Sequence, residues 1–245
     1  MIRGTLLMLV GFYETLRISV PTLIDKARGR RSETAIDARL AGWAERLVGH
    51  ASVRLTVSGQ ENIRPGEVYI VMSNHESMFD IPLLFHALPL KLRMVAKKEL
   101  FRIPIFGPAL RESSFVEIDR SNLDRAKASL EVAKDRLGAG ISVWISPEGT
   151  RSRTGELLPF KKGGFHLAAQ TGISILPVGM AGTADLVAPD SPDVKANTPV
   201  HISIFPPITA PPSDADSAAL DALTLTTRAV IERAIVDARS RRPRE

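Results

Sequence analysis

Residues 73–80 read Ser-Asn-His-Glu-Ser-Met-Phe-Asp, and within them His75 and Asp80 stand five positions apart. Imidazole titrates near neutrality, so a histidine can take a proton from an attacking hydroxyl. A carboxylate bonded to its other ring nitrogen selects the tautomer that leaves the working nitrogen bare. The spacing suits a histidine in a loop and an aspartate in the first turn of the next helix. It suits a structural pair at a surface turn equally well, so these two residues alone leave both readings open.

A second cluster, Ile145-Ser146-Pro147-Glu148-Gly149-Thr150-Arg151-Ser152, follows the apolar run Ser142–Ile145. Pro147 ends a strand, Gly149 allows a tight turn, and Glu148 and Arg151 are left at the sheet edge. The arginine fork matches a phosphate group. Downstream, Lys161-Lys162-Gly163-Gly164 puts cations and glycines at a helix start, which favours anions. The competing reading is a solvated turn holding an Arg–Glu pair. A third stretch, Phe115–Arg120, is a strand that closes in Ile-Asp-Arg. Arg120 emerges from it either as a second phosphate ligand or as an ordinary surface arginine.

The elements that must position these groups alternate. Short β-branched or apolar runs bounded by Gly, Pro or Asn predict strands at 53–58, 68–73, 92–96, 115–118, 142–145, 175–179 and 201–205. Helical stripes fall at 79–88, 122–137, 162–171 and 216–239. The alternation predicts an α/β domain over 51–245 with a largely parallel central sheet flanked by helices, and such sheets place ligands where strands end. Two proline-rich stretches, 187–199 and 206–213, read as surface connections, and the basic tail 239–245 as frayed.

The chain has 245 residues, 44% of them hydrophobic, enough for a full core, and it contains no cysteine. Disulfides, thiol nucleophiles and cysteine metal sites are thereby excluded. The five histidines are scattered and the acidic residues lack metal-ligand spacing, so no metal is expected. A net charge of +5 favours an anionic partner. With 5% aromatic residues and no zinc-finger or aromatic-basic motif, nucleic acid is the weaker candidate and anionic lipid the stronger.

The first 50 residues bear on that choice. Thr5 to Tyr13 is apolar, but Glu14 and Arg17 interrupt the run before the roughly 20 apolar residues a spanning helix needs. The cluster Lys26, Arg28, Arg30, Arg31 precedes a second helical pattern at 34–50. Residues 1–50 therefore read as a two-helix membrane-interface anchor, with a helical hairpin covering a soluble core as the other reading.

In chain order, Asn74-His75…Asp80, Phe115…Arg120, Pro147-Glu148-Gly149-Thr150-Arg151-Ser152 and Ile175-Leu176-Pro177-Val178 resemble the four blocks of the glycerolipid acyltransferases, most closely the bacterial 1-acyl-sn-glycerol-3-phosphate acyltransferases. The resemblance runs from about residue 50 to 185, and its ordered blocks are specific. It implies a glycerolphosphate-acyltransferase-like fold and a peripheral enzyme at the cytoplasmic face of the cell membrane. That enzyme passes an acyl group from acyl-CoA or acyl carrier protein to the sn-2 hydroxyl of lysophosphatidic acid, giving phosphatidic acid with no other cofactor. By the same resemblance His75 is the general base and Asp80 orients it. Arg120 and Arg151 bind the acceptor phosphate, Glu148, Gly149 and Thr150 shape its pocket, and Lys161 adds an anion contact. The acceptor hydroxyl attacks the thioester directly, with no acyl-enzyme.

Two positions depart from the family pattern. Ser114 and Ser146 stand where many relatives carry glycine and phenylalanine, and both are expected to reshape the acceptor pocket. Rival readings are the same chemistry on another lysolipid and a non-catalytic protein that binds anionic lipid. A hydrolase is disfavoured, because no Gly-x-Ser-x-Gly elbow is present.

Overall fold

The computed structural model describes residues 2–119 and 123–243, so Arg120 lies outside the described residues. Helices α1 (Ile2–Ala27) and α2 (Glu33–His50) come first. They are followed by β1 (Arg54–Ser58), β2 (Ile70–Ser73), α3 (Asp80–Ala87), β3 (Leu92–Lys97), α4 (Phe106–Glu112) and β4 (Val116–Ile118). Then come α5 (Leu123–Gly138), β5 (Ser142–Ile145), α6 (Gly163–Thr171), β6 (Ile175–Ala181), α7 (Thr183–Leu186), β7 (Pro199–Ile204) and α8 (Ser217–Arg241).

The seven strands form one sheet in the order β1-β7-β6-β2-β5-β3-β4. The pairs along β6-β2-β5-β3-β4 are all parallel. β7 runs antiparallel to β6, and β1 parallel to β7, so this edge pair reverses the sheet's direction. All four residues of β2 are buried, because helices cover both faces of the sheet. Its side chains alternate accordingly. Val71 enters a core with Leu83, Phe101, Trp144 and α2, while Ile70 and Met72 enter one with Phe165, Ile231 and Leu137 on the other face.

α1 is built inside out. Its protein-facing side is polar: Glu14, Ser19 and Thr22 are buried, and Glu14 meets Arg46 of α2 as well as Arg17. Trp43 Nε1 donates to Thr15 Oγ1 at 3.3 Å, and Arg39 pairs with Asp25. Leu6, Leu9, Phe12, Tyr13, Val20 and Ile24 are exposed instead. Glu14 therefore does not break the apolar surface, because it points inward, and Leu6–Ala27 is long and apolar enough to cross a membrane by length and composition. An ion network joins the hairpin to the sheet. Arg93 of β3, 1% exposed, contacts Asp37 at 2.7 Å and Glu33 at 3.1 Å, while Lys26 and Arg31 reach Glu112 at the end of α4.

Ser114 belongs to the same joint. Its backbone is left-handed, with φ of 66°, a conformation that suits glycine. Its hydroxyl accepts from Arg31 and bonds Glu33. The serine at this position thus ties the hairpin to the sheet. Nor is the C-terminal tail frayed over its described part. Arg239 donates to Gly155 O at 2.8 Å, and Arg242 donates to Pro199 O at 2.9 Å and pairs with Asp185.

Candidate active site

β2 and β5 are neighbours, so the chain leaving Ser73 and the chain leaving Ile145 emerge side by side at the carboxyl edge of the sheet. The first of these loops holds His75, and α3 opens on Asp80. Asp80 is fully buried, and its Oδ2 accepts from His75 Nδ1 at 2.7 Å and from the amides of Glu76 and Ser77 at 2.8 and 2.9 Å. Two amide donors on that oxygen require an acceptor, so the carboxylate form fits and Nδ1 carries the ring proton. Nε2 is then left with its lone pair, and it has no partner among the described residues. The imidazole side chain is 18% exposed and stands edge-on to Trp144, at 5.4 Å and 89° between rings. Trp144 is itself anchored by Nε1 donating to Ser73 Oγ at 2.9 Å.

The loop is braced on both sides. Asn74 donates to Met180 O at 3.0 Å and accepts from Met180 N at 2.9 Å, which ties it to β6. On the β5 side Glu148 is 2% exposed and turned inward. Its two oxygens accept from the amides of His75 (3.1 Å) and Leu158 (2.8 Å). Burial pushes its carboxyl above the usual carboxylate range, against those two amides, which hold it down. Glu76, which accepts from Asn74 at 3.0 Å, is also raised, first by burial and further by the Asp80 and Glu148 charges.

Beyond Glu148, Gly149 turns with φ of 73°, Thr150 is exposed, and Ser152 N donates to His75 O at 2.7 Å. Arg151 therefore lies one residue from a main-chain bond to His75. It is half-buried and makes no ion pair among the described residues. Lys161 is exposed; its amide donates to Pro147 O at 2.7 Å, and its Cγ lies 3.5 Å from where a Cβ on Gly149 would stand. Asp119, the residue before Arg120, is buried and pairs with Lys98 at 2.8 Å and Arg125 at 3.4 Å.

The structure thus joins His75, Asp80 and Glu148 in one hydrogen-bonded set, and the backbone of the turn holding Gly149, Thr150 and Arg151 is bonded to His75 through Ser152 and to Lys161 through Pro147. Asn74, which the first sequence block includes, and Trp144, which no block includes, both support the histidine through partners on other strands. Ser146 Oγ is buried with no hydrogen-bond partner among the described residues, beside the turn that Pro147 begins. What the arrangement can do is accept a proton at Nε2 of His75.

Comparison with known proteins supplies the context. The family model described as "Acyltransferase" matches residues 54–181. The chain is 32% identical over 186 residues to mouse 1-acyl-sn-glycerol-3-phosphate acyltransferase alpha, covering 74% of this chain and 63% of that one. It is 37% identical over 185 residues to the 1-acyl-sn-glycerol-3-phosphate acyltransferase of Saccharomyces cerevisiae, covering 73% of this chain and 58% of that one. The chain therefore spans about three-fifths of these curated relatives' length. Among solved structures, the 1-acyl-sn-glycerophosphate acyltransferase PlsC of Thermotoga maritima superposes with a TM-score of 0.82 at 26% identity, covering 99% of both chains.

Proposed function

The chain belongs to the acyltransferase family, and from that premise we propose that it moves a fatty acyl group from an acyl thioester to the sn-2 hydroxyl of 1-acyl-sn-glycerol-3-phosphate. The observation that carries the reading is the His75–Asp80 pair, with Nδ1 committed to a carboxylate and the imidazole still 18% exposed. In the reaction Nε2 takes the hydroxyl proton as the oxygen attacks the thioester carbonyl. Asp80 stabilises the imidazolium that forms. The tetrahedral intermediate collapses, the carbon–sulfur bond breaks, and the proton passes to the departing thiolate. The products are phosphatidic acid and free thiol, from acyl-CoA or acyl carrier protein, and the scheme needs no other cofactor.

Arg151 and Arg120 bind the acceptor phosphate, with Lys161 as a further cation and Gly149 and Thr150 shaping the turn. Glu148 serves that pocket from inside, by fixing the amides of His75 and Leu158. Residues 51–245 make up the catalytic unit and 1–50 the anchor. The anchor reading is supported by the outward apolar face of α1 beside Arg28 and Arg30, which fits an anionic lipid surface. The enzyme then works as a peripheral protein on the cytoplasmic face of the cell membrane, drawing its lysolipid acceptor from the bilayer.

The direct test incubates purified wild type and His75→Ala with oleoyl-CoA or acyl carrier protein donor and lysophosphatidic acid in mixed micelles. Phosphatidic acid from wild type, with about a 10²–10⁴-fold loss in the variant, is the expected result. A phosphate-free lysolipid that proves the best acceptor sinks the phosphate reading.

A further inference from the structure

The family match ends at residue 181, yet α8, beginning at Ser217, holds part of the site. Arg228 of α8 donates from Nη1 to Leu158 O at 2.8 Å and from Nη2 to Leu157 O at 3.0 Å. Its Nε pairs with Glu232 at 3.0 Å, and its guanidinium lies over the Phe160 ring at 5.3 Å. Every nitrogen of the fork is thus engaged, a planar arrangement that lysine cannot reproduce.

The Leu158 peptide lies in the middle of a relay. That peptide is the one joining Leu157 to Leu158: its carbonyl, Leu157 O, accepts from Arg228 Nη2, its amide, Leu158 N, donates to Glu148 Oε2, and Glu148 Oε1 accepts from the amide of His75. A peptide polarised at both ends binds each partner more tightly. Glu148 and Leu158 therefore close a loop whose outgoing arm carries Arg151 and whose return arm rests on Arg228. At the tip Arg239 donates to Gly155 O at 2.8 Å, and a Cβ on Gly155 would stand 3.7 Å from that guanidinium and 4.0 Å from Glu76 Oε1. α8 itself is seated closely, since a Cβ on Gly179 of β6 would lie 2.2 Å from the Ala234 backbone.

We propose that Arg228, seconded by Arg239, is a positioning residue for the acyl transfer: it holds the 151–158 loop in the one arrangement that presents Arg151 to the acceptor phosphate. The proposal rests on the functional reading above. Its signature is selective. Freeing the loop is expected to weaken acceptor binding and to leave donor binding as it was.

The experiment compares wild type, Arg228→Ala, Arg228→Lys, Arg239→Ala and, as a control on the exposed side of α8, Arg233→Ala. Two quantities are read: KM for lysophosphatidic acid and for acyl donor, and hydrogen–deuterium exchange of peptides spanning 151–160. Arg228→Ala is expected to raise acceptor KM about tenfold, equivalent to about 1.4 kcal/mol. It should also accelerate exchange in 151–160, with donor KM unchanged. Arg228→Lys and Arg239→Ala fall between it and wild type, and Arg233→Ala matches wild type. Unchanged exchange in Arg228→Ala overturns the proposal, and so does faster exchange with an unchanged acceptor KM. A wild type that turns over no lysophosphatidic acid sinks the functional reading instead, while the exchange comparison, which needs no substrate, still decides whether Arg228 holds the loop.

Discussion

Asp80→Asn removes one charge and almost no volume from the centre of the site. Asp80 Oδ2 receives three N–H donors, from His75 at 2.7 Å and from the Glu76 and Ser77 amides at 2.8 and 2.9 Å. The carboxamide oxygen can still accept from the two amides, so the loop and α3 are expected to keep their places. What is lost is the charge facing the imidazolium. With charge centres about 4 Å apart and an effective dielectric near 20, that interaction is worth about 4 kcal/mol, close to three decades in rate. The ring is 18% exposed, so water takes up part of the loss, and a fall in kcat of about 10²–10³-fold is expected. Replacing charge-assisted amide bonds with neutral ones costs about 1 kcal/mol of stability, a shift of a few degrees in Tm. The assay is convenient because the chain has no cysteine, so a thiol reagent reports only the released CoA. A variant that folds as wild type and keeps a third or more of the wild-type kcat refutes the reasoning.

Two further predictions test other parts of the molecule. His201 is 4% exposed, with its ring nitrogens against Thr56 Oγ1 at 2.7 Å and Ser58 Oγ at 3.0 Å; burial holds its pKa below the ordinary value, against a smaller upward pull from Asp237 and with a further downward one from Arg241. The unfolded chain then binds the proton first as pH falls through about 6.5, so His201 contributes stability above that pH that is lost below it, with a slope of up to about 1.4 kcal/mol per pH unit. Denaturant titrations from pH 7.5 to 5 should show His201→Gln with a flatter profile than wild type, and identical slopes refute the assignment. At the N-terminus, Leu9 and Phe12 are 56% and 65% exposed, so Leu9→Asp with Phe12→Asp should leave Tm unchanged. If both side chains enter lipid, at about 1.5–3 kcal/mol each, vesicle binding weakens at least about 10²-fold. Undiminished sedimentation with phosphatidylglycerol vesicles counts against the anchor.

The residues whose meaning is local could be read from the chain alone. The run Ser142–Ile145 is a strand with the expected limits, because the six apolar or small residues between Gly140 and Pro147 admit little else. His75 and Asp80 are five apart, a spacing at which a loop entering a helix brings them into contact. α4 was missed because Gly107 and Pro108 argue against a helix, although Pro108 sits in its first turn, where the absent amide costs nothing. The reversal of β7 was missed as well, since a strand's pattern records its burial and not its direction.

Only the tertiary structure decided that Glu148 points inward, that Arg93 is a buried charge serving the hairpin, and that α8 reaches the site. The partners of these groups lie 73 residues away for Glu148 and His75, 60 for Arg93 and Glu33, and 70 for Arg228 and Leu158. Whether an arginine meets a phosphate, a carboxylate or a carbonyl depends on which strands lie side by side. That order is settled by burial of both sheet faces at once, a property of the whole chain that no short stretch of it carries.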